Sequence, residues 1–461
     1  MGGEWSLGEL VTLSIDDGDA AGGGCTTHLS SLIAKRLLSK GARLADYPLL
    51  VRLNPGIPWK TRGNAAVVLR LWGVEPGVAL EEAEAIAYEY SGWRREPGKG
   101  VGVVVVQGDP WRREVRTLYR RALTGVVPVD QAVKAVERLG GVWRGGRGVV
   151  GAAAAVAALA PGDDYTWELV AYRKPELWGE ARCVDRVKAL RVERSLPPCV
   201  FNNIDLEGGL AAAPRGSDPV LAGFRGDCAW ALAAYSEALC EEPHFWALFR
   251  SNQHTDSHVK IGMPRPVAPY NYVTLKARVA SSPVARPGGH VAVKAEAREP
   301  SGPERLANIE LLFFRESKPL GEVARRLAPG DIILVQGSVR TFTPSGEPAV
   351  AVDKMTIVRV APRYAEASPT CPRCGRRMKS AGRGKGFKCP SCGFKSATLS
   401  PIRIPLPPPI SPGEVAPREG RLRHLTAPPG RRVNKPFQTP AEIRDHQAFS
   451  WGPNPPSKPP G

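Results

Sequence analysis

The chain has 461 residues and a formal net charge of +18, from 63 Lys and Arg against 45 Asp and Glu. Its 43% hydrophobic and 23% charged residues exclude a wholly disordered or fibrous protein, and the length favours about three domains. The longest uncharged apolar run, Gly148 to Pro161, is too short for a membrane span and predicts a buried helix. The N-terminus has no basic segment before an apolar core, so we expect a cytoplasmic protein without a secretory signal.

Strand and helix patterns alternate over the first third of the chain. Buried strands are predicted at Leu10–Ile15, Leu49–Leu53, Ala65–Trp72 and Val101–Gln107. Helices are predicted up to Lys40, before Gly41, and over Ala79–Tyr90, Trp111–Thr124 and Val129–Leu139. This alternation predicts an α/β or α+β body.

An acidic turn follows the first strand and leads into a glycine-rich loop. Asp16, Asp17 and Asp19 repel one another unless a cation is present, and Mg²⁺ prefers such oxygen ligands. The loop ends at Thr26 and Thr27, where backbone N–H groups at a helix start can bind phosphate. The alternative interpretation is a solvated loop or a helix cap.

A second polar block runs from Arg52 to Asn64. Pro55 and Pro58 keep the chain extended, so that alternate side chains after them face one side. Two cations and an amide together would clamp phosphate, whereas the alternative is a basic strand edge. The predicted phosphate-binding residues are Lys60, Arg62, Gly63 and Asn64.

The second half of the chain has a different texture. Five short β-rich runs between Asn271 and about Val360 predict a small Greek-key barrel of the OB type, a fold that commonly binds single-stranded nucleic acid. The last 66 residues contain 16 prolines and cannot build a core of their own. We expect this tail to be disordered or extended along another domain.

Four of the nine cysteines form two CxxC pairs separated by 14 residues, and these are Cys371, Cys374, Cys389 and Cys392. Two such pairs suit a closed, tetrahedral structural Zn²⁺ site. Two redox pairs or a disulfide staple are the alternatives. Cations between the pairs, including Arg376, Arg377 and Lys385, make the predicted zinc ribbon strongly basic.

The positive charge is concentrated at the C-terminal end. Residues 363–461 contain 18 Lys and Arg against 5 Asp and Glu, a balance of +13, which leaves +5 for the remaining 362 residues. Such a density indicates a nucleic-acid partner, although a solvated basic tail is the alternative.

Seven blocks in order resemble the archaeal tRNA-isoleucine 2-agmatinylcytidine synthetase family: IDDGD…GGCTT, RLNPGIPWKTRGNAAV, DDYTWELVAYR, GSDPVLAGFRGD, SNQHTDSHV, the cysteine pairs and RLRHLT. The resemblance spans Val11 to about Thr426 and implies four folded domains, followed by the tail. The four domains are a kinase-like α/β domain (1–72 and roughly 140–200), a ferredoxin-like region (roughly 73–139 and 200–265), an OB-fold (268–362) and a zinc ribbon (365–398). The tail is basic and Pro-rich (399–461). Gly18 stands where the family usually has Thr.

The resemblance also implies an activity: the ATP-dependent attachment of agmatine to C2 of the wobble cytidine in the CAU anticodon of tRNA-isoleucine. ATP first phosphorylates the C2 oxygen and is cleaved to AMP, and the modified tRNA decodes AUA. By position, Thr26 is the residue that carries a phosphoryl group, with Thr27 beside it. Asp16, Asp17 and Asp19 would hold Mg²⁺, while Lys60 and Arg62 stabilise the transition state.

Agmatine is a dication, so its site needs acidic side chains, and Glu168 and Asp218 are the candidates; a strand-surface Glu and a helix cap are the alternatives. The predicted tRNA contacts are Asn252, Gln253, Thr255, Asp256, His258, Arg376, Arg377 and Lys385. A polar linker is the alternative for the 252–258 block. The competing function is a non-catalytic nucleic-acid-binding protein built on an OB-fold and a zinc ribbon.

Overall fold

A computed structural model describes residues 9–19, 23–61, 63–91, 100–205, 209–214, 216–259, 268–298, 305–343, 346–418, 420–431, 436–438 and 441–456. The strands are β1 (Val11–Asp16), β2 (Arg43–Leu44), β3 (Leu49–Arg52), β4 (Ala65–Trp72), β5 (Gly102–Gln107), β6 (Val142–Gly145), β7 (Thr166–Tyr172), β8 (Ile204–Asp205), β9 (Gly209–Leu210), β10 (Val220–Gly226), β11 (Phe245–Ser251), β12 (Tyr272–Val279), β13 (Val284–Arg286), β14 (His290–Arg298), β15 (Arg305–Phe313), β16 (Ile332–Phe342), β17 (Pro348–Arg359), β18 (Arg363–Ala367), β19 (Lys379–Ser380), β20 (Phe387–Lys388), β21 (Lys395–Ser396), β22 (Ile402–Leu406), β23 (Gly413–Val415) and β24 (Phe449–Ser450). The α-helices are α1 (Thr26–Ser39), α2 (Pro76–Ser91), α3 (Arg113–Ala122), α4 (Val129–Glu137), α5 (Val149–Ala155), α6 (Arg186–Ser195), α7 (Ala229–Leu232), α8 (Leu320–Ala324) and α9 (Asp445–Ala448).

A ten-stranded sheet forms the first half of the molecule. Its main path is β10-β7-β11-β3-β4-β1-β5-β6, and β2 and β24 pair outside that path with β4 and β11. The pairing of β11 with β3 is parallel, while the other neighbours in the sheet are antiparallel. The parallel pair joins the early strands to β7, β10 and β11, so the acidic turn and the later blocks share one sheet.

Helices cover both faces of the early strands, as alternating side chains require. Leu13 and Val67 lie in a core cluster with α1 and α2, whereas Ala66 and Val68 lie in a second cluster with α3, α4 and α5. Strands buried on both faces read as continuous apolar runs. The predicted strands and helices in this part are therefore confirmed, with small shifts at their ends.

The predicted helix from Gly148 to Pro161 is shorter than expected. Only Val149–Ala155 is helical, and Leu159 adopts a positive φ of 49°. The run is nevertheless largely buried, which explains its lack of charge. Among the described residues, no helix has the length and apolarity that a bilayer crossing requires.

The second half contains a closed five-stranded barrel. Strands β12, β16, β17, β15 and β14 pair in that order, and β14 returns to β12. Apolar side chains such as Leu275, Val293 and Leu311 fill its interior. The predicted small β-barrel is confirmed.

The Pro-rich tail is extended along the other domains. This confirms one of the two expectations for it, and the other was disorder. Strand β22 pairs with β18, β23 adds to barrel strand β17, and β24 adds to sheet strand β11. Phe437 is 2% exposed and packs into the core of the first half. The tail therefore contacts the strand that precedes the ribbon, the barrel and the ten-stranded sheet.

Candidate active site

The acidic turn leaves the sheet at the end of β1. The Asp17 N–H donates to the Asp16 carboxylate, and Asp17 takes a positive φ of 61° that turns the chain sharply. Asp16 is 8% exposed, and its carboxylate packs against Gly151 of α5, where a Cβ would lie 1.7 Å from Oδ2. Glycine at position 151 is thus required for the acidic turn to sit against α5.

Burial is the main influence on the Asp16 carboxyl, and the charge of Asp17 adds to it. Together they raise the pKa of Asp16 well above its ordinary value. A cation bound beside these two residues would offset both effects. A positive partner would therefore favour ionisation of the Asp16 carboxyl.

Thr26 begins α1 directly beside the acidic turn. Its hydroxyl accepts a hydrogen bond of 3.0 Å from the Gly18 N–H. The neighbouring Thr27 hydroxyl lies 3.1 Å from Cys25 Sγ, and burial raises the pKa of that thiol. The predicted phosphoryl acceptor Thr26 is therefore held at a helix N-terminus by a contact to Gly18 of the acidic turn.

Two cavities flank the turn. The first, about 290 Å³, is lined by Asp16, Asp17, Trp59, Lys60, Thr61, Asn64, Arg147, Gly151 and an apolar segment from Gly125 to Val129. Burial, followed by nearby Arg423 and Arg340, lowers the pKa of Lys60. Lys60 also donates to the Ile57 carbonyl at 3.0 Å. This cavity combines carboxylates, cations and an apolar wall.

The second cavity is larger, about 410 Å³, and its lining includes Asp19, Cys25, Thr26, Thr27, Arg52, Thr61, Gly63, Glu168, Asp218, Arg225 and His424. The sequence-predicted residues are thus divided between two neighbouring spaces that share Thr61. Arg62, predicted with them, lies outside the described residues.

Glu168, on β7, sits between two arginines. Its carboxylate accepts from Arg52 and Arg225, each at 3.3 Å, and from the Gln253 amide. Asp218 is 1% exposed, accepts from the Val220 N–H, and lies 3.5 Å from an Arg182 nitrogen. Both predicted agmatine ligands border the second cavity while already contacting cationic side chains.

The polar block at 252–258 lies against the body of the protein. Asn252, Gln253 and His258 are at most 1% exposed, while Thr255 and Asp256 are partly exposed. Asn252 bridges Arg52 and Tyr119, and Asp256 pairs with Lys354 of the barrel. Their predicted tRNA contacts stay predictions, and the structure gives these residues a second role in joining sheet, barrel and tail.

Arg52, Arg225 and His424 were not among the predicted site residues, although each stands in one of the resembling blocks. Their sequence neighbours gave no sign of their function because β3, β10 and the tail meet only in the folded chain. The blocks themselves were the available signal.

The four ribbon cysteines converge. Cys371 Sγ and Cys392 Sγ are 3.5 Å apart, as are the Sγ atoms of Cys374 and Cys389. Tetrahedral Zn²⁺ with bonds of about 2.3 Å needs sulfurs about 3.8 Å apart, so the geometry fits zinc. Within the described ranges, this is the one set of three or more His, Cys, Asp or Glu residues whose ligand atoms lie within 4.8 Å of one another. The aspartates at 16, 17 and 19 do not converge in this way.

The structure defines a multidomain α/β protein in which a charged double cavity is joined to a small β-barrel and a zinc ribbon. Family models match at residues 12–144 (TiaS TCKD domain), 146–258 (TiaS FLD domain) and 368–407 (TiaS C-terminal zinc ribbon domain). The first two matched ranges adjoin near residue 145. In the expectation from the sequence, each of the first two domains instead consists of two separate ranges. A curated relative from Acidilobus saccharovorans, an isoleucine-tRNA 2-agmatinylcytidine synthetase TiaS, is 46% identical, covering 94% of this chain and 97% of its own. The chain belongs to this family.

Other comparisons agree. The Methanopyrus kandleri relative of the same name is 35% identical over 90% of this chain and 96% of its own. A complex of TiaS with its isoleucine tRNA and ATP superposes with a TM-score of 0.80 at 29% identity, covering 93% of this chain and 99% of that one. A complex of TiaS with the same tRNA, AMPCPP and agmatine gives 0.77 at 27% identity, covering 93% and 100%. The resemblance stated from the sequence is confirmed.

Proposed function

We propose that the protein forms agmatidine by attaching agmatine to C2 of the wobble cytidine of tRNA-isoleucine, with ATP as the source of activation. The observation that carries this is family membership over nearly the full length, at 46% identity to a named synthetase. A solved relative holds its isoleucine tRNA, an ATP analogue and agmatine. A non-catalytic nucleic-acid-binding protein is not favoured, since that function would not explain the two charged cavities beside the acidic turn. Because tRNA is the substrate, we place the activity in the cytoplasm.

The reaction explains why the site needs ATP. The C2 oxygen of cytidine is a poor leaving group, and phosphorylation converts it into phosphate, which the agmatine amine can displace. Catalysis of such steps consists mainly of holding the phosphates and stabilising their charge. We assign these tasks to the cations and N–H groups around the acidic turn.

The first cavity is our proposed site for ATP. Its apolar wall from Gly125 to Val129 suits a purine, and Lys60, Asn64 and Arg147 suit phosphates. Asp16 and Asp17 would hold Mg²⁺, which neutralises phosphate charge when bound. The support is the burial of Asp16 and its raised pKa. Asp19, the predicted third ligand, borders the second cavity instead.

The second cavity is our proposed site for agmatine and the target cytidine. Carboxylates of Asp19, Glu168 and Asp218 border it and offer acceptors to the nitrogens of agmatine. Arg52 and Arg225, which pair with Glu168, suit the anionic nucleotide. Thr26 opens into the same space and is the proposed phosphoryl carrier. The position of the acidic turn between the cavities would let a phosphoryl group pass from ATP towards the nucleotide.

We further propose finer identities for the domains. The range 12–144 is kinase-like, 146–258 is ferredoxin-like, and the closed barrel is of the OB type, supported by its five strands and their order. The ribbon cations Arg376, Arg377 and Lys385 are exposed and available to tRNA phosphates.

The test is a reconstituted reaction with ATP, Mg²⁺, agmatine and tRNA transcripts that differ only in a CAU or a control anticodon. We expect AMP and a nucleoside of agmatidine mass with the CAU transcript alone. Thr26→Ala and Asp17→Ala should abolish the product, while Ser39→Ala at the exposed end of the same helix should retain it. Binding of the tRNA without AMP or product would favour the non-catalytic alternative.

A further inference from the structure

His424 reaches the second cavity from the chain segment that follows the zinc ribbon. The segment is fixed to the sheet, because the His424 carbonyl accepts from the His254 N–H at 2.7 Å and Arg421 pairs with Asp205. Its imidazole borders the same space as Thr26 and Glu168. These contacts hold the imidazole in a fixed position at the edge of the second cavity.

Gln253 fixes which imidazole nitrogen carries the proton. The Gln253 amide nitrogen contacts the Glu168 carboxylate, and its amide oxygen accepts from Arg52 at 3.0 Å. A carboxylate only accepts and a guanidinium only donates, so the amide has one possible orientation. His424 Nδ1 lies 3.0 Å from that oxygen and must therefore donate to it. Nε2 consequently carries the lone pair.

The hydrogen-bonded series from Glu168 through Gln253 to His424 ends at Nε2. Among the residues that the structure describes, it has no hydrogen-bond partner. Gly63 lies in front of it, and a Cβ at that position would stand 2.9 Å from Nε2 and 2.4 Å from Arg52. The lack of a side chain at residue 63 leaves space beside Nε2.

The imidazole is neutral in the free protein. Burial is the main cause, and Arg52, Arg225, His254 and Arg423 add to it, so the pKa of His424 is well below its ordinary value. A phosphorylated nucleotide would bring anionic oxygens beside Arg52 and Arg225 and offset their charge. The basicity of Nε2 would then rise in the complex in which the amine attacks.

We propose that His424 is the general base for the amine step, with Nε2 taking the proton that the agmatine nitrogen loses. This rests on the proposed function. The ammonium group of agmatine first loses one proton to water. The lone pair of the resulting neutral amine forms the N–C2 bond, and the C2–O bond breaks with its electron pair leaving on phosphate. The second proton moves from nitrogen to Nε2 and then to the departing phosphate. Glu168 and Gln253 act as positioning residues that hold Nε2 towards the substrate.

Two substitutions separate this role from a structural one. His424→Asn keeps an N–H donor near the Nδ1 position for Gln253 but lacks the basic nitrogen, whereas His424→Ala removes both. We expect agmatidine formation at saturating agmatine to fall about 100-fold or more in both variants. ATP-dependent phosphorylation of the protein, which needs no amine, should stay within a few-fold of wild type. Added imidazole should partly restore His424→Ala.

A His424→Asn enzyme with the wild-type rate would overturn the base and leave only the contact to Gln253. Equal loss of phosphorylation and amine transfer, in variants whose thermal unfolding is unchanged, would overturn it as well. A wild-type enzyme that makes no agmatidine would instead contradict the proposed function. The outcomes are therefore distinguishable.

Discussion

The Tyr90 hydroxyl accepts a hydrogen bond of 3.1 Å from the Cys25 N–H and thereby joins α2 to the residue that precedes Thr26. The same hydroxyl lies 3.1 Å from His28 Nδ1. Burial lowers the pKa of His28 to about 3, so its ring is neutral and can accept from the tyrosine. One hydroxyl therefore orients two residues of the helix start that carries the predicted phosphoryl acceptor.

Replacing Tyr90 by Phe should loosen this helix start without removing any proposed catalytic group. We expect the rate of Thr26 phosphorylation to fall roughly tenfold, because small misplacements of reacting groups are costly. Stability should fall by about 1 kcal/mol for the lost hydrogen bonds. Tyr88→Phe, at a 40% exposed position of the same helix, is the control. An unchanged phosphorylation rate in Tyr90→Phe would contradict the positioning role.

Arg431 anchors the tail through two carboxylates. It donates to Asp164 at 2.6 Å and to Asp227 at 2.8 Å, and its side chain is 6% exposed. Removing one partner of a buried ion pair leaves the other charges uncompensated, at a cost of about 3 kcal/mol or more. Arg431→Gln should therefore lower the thermal unfolding temperature by several degrees, whereas exposed Arg191→Gln should leave it nearly unchanged. Equal unfolding temperatures would show that the Arg431 ion pairs add nothing to stability.

Buried histidines make the fold sensitive to acid. Burial, followed by the charge of Lys354, lowers the pKa of His258 to about 3, against about 6.5 in the unfolded chain. Between these values the unfolded state binds the extra proton, so stability falls as pH falls from about 6.5 towards 3 and is unaffected above that range.

His258→Phe should remove this contribution and reduce the pH dependence of unfolding free energy by up to about 1.4 kcal/mol per pH unit. The measurement is denaturant unfolding at several pH values between 4 and 7. His446→Asn, at an exposed position of α9, is the control. The same slope in His258→Phe and in the wild type would contradict the lowered pKa.

Ribbon charges should control the salt dependence of tRNA binding. Deleting everything after Arg363 is unsuitable as a test, because the tail supplies β23, β24 and His424 to the body. Arg377→Ala with Lys385→Ala changes the ribbon alone. We expect the negative slope of log affinity against log salt to become less steep by up to about 2, one for each lost phosphate contact.

Lys188→Ala with Arg191→Ala removes the same net charge from the exposed side of α6 and is the matched control. If both double variants changed the slope equally, the effect would come from net charge and the ribbon would have no special contact with tRNA. ATP-dependent phosphorylation should be unchanged in both.

The sequence by itself determined the early strands and helices, the barrel and the zinc ligands. Each depends on local information: runs such as Val101–Gln107 are apolar on both faces, and the Cys371–Cys374 spacing brings two thiolates to one metal. The acidic turn and Thr26 were likewise visible, because they are adjacent in the chain.

Only the tertiary structure decided how these parts combine. The acidic turn separates two cavities, so Asp16 and Asp19 face different spaces. Glu168, Gln253 and His424 come from three distant segments, and the pairing of β11 with β3 and β7 brings the first two together. Such contacts depend on sheet order and on the path of the tail, which no local pattern encodes. The direction of a single imidazole nitrogen follows from three side chains that meet only after folding.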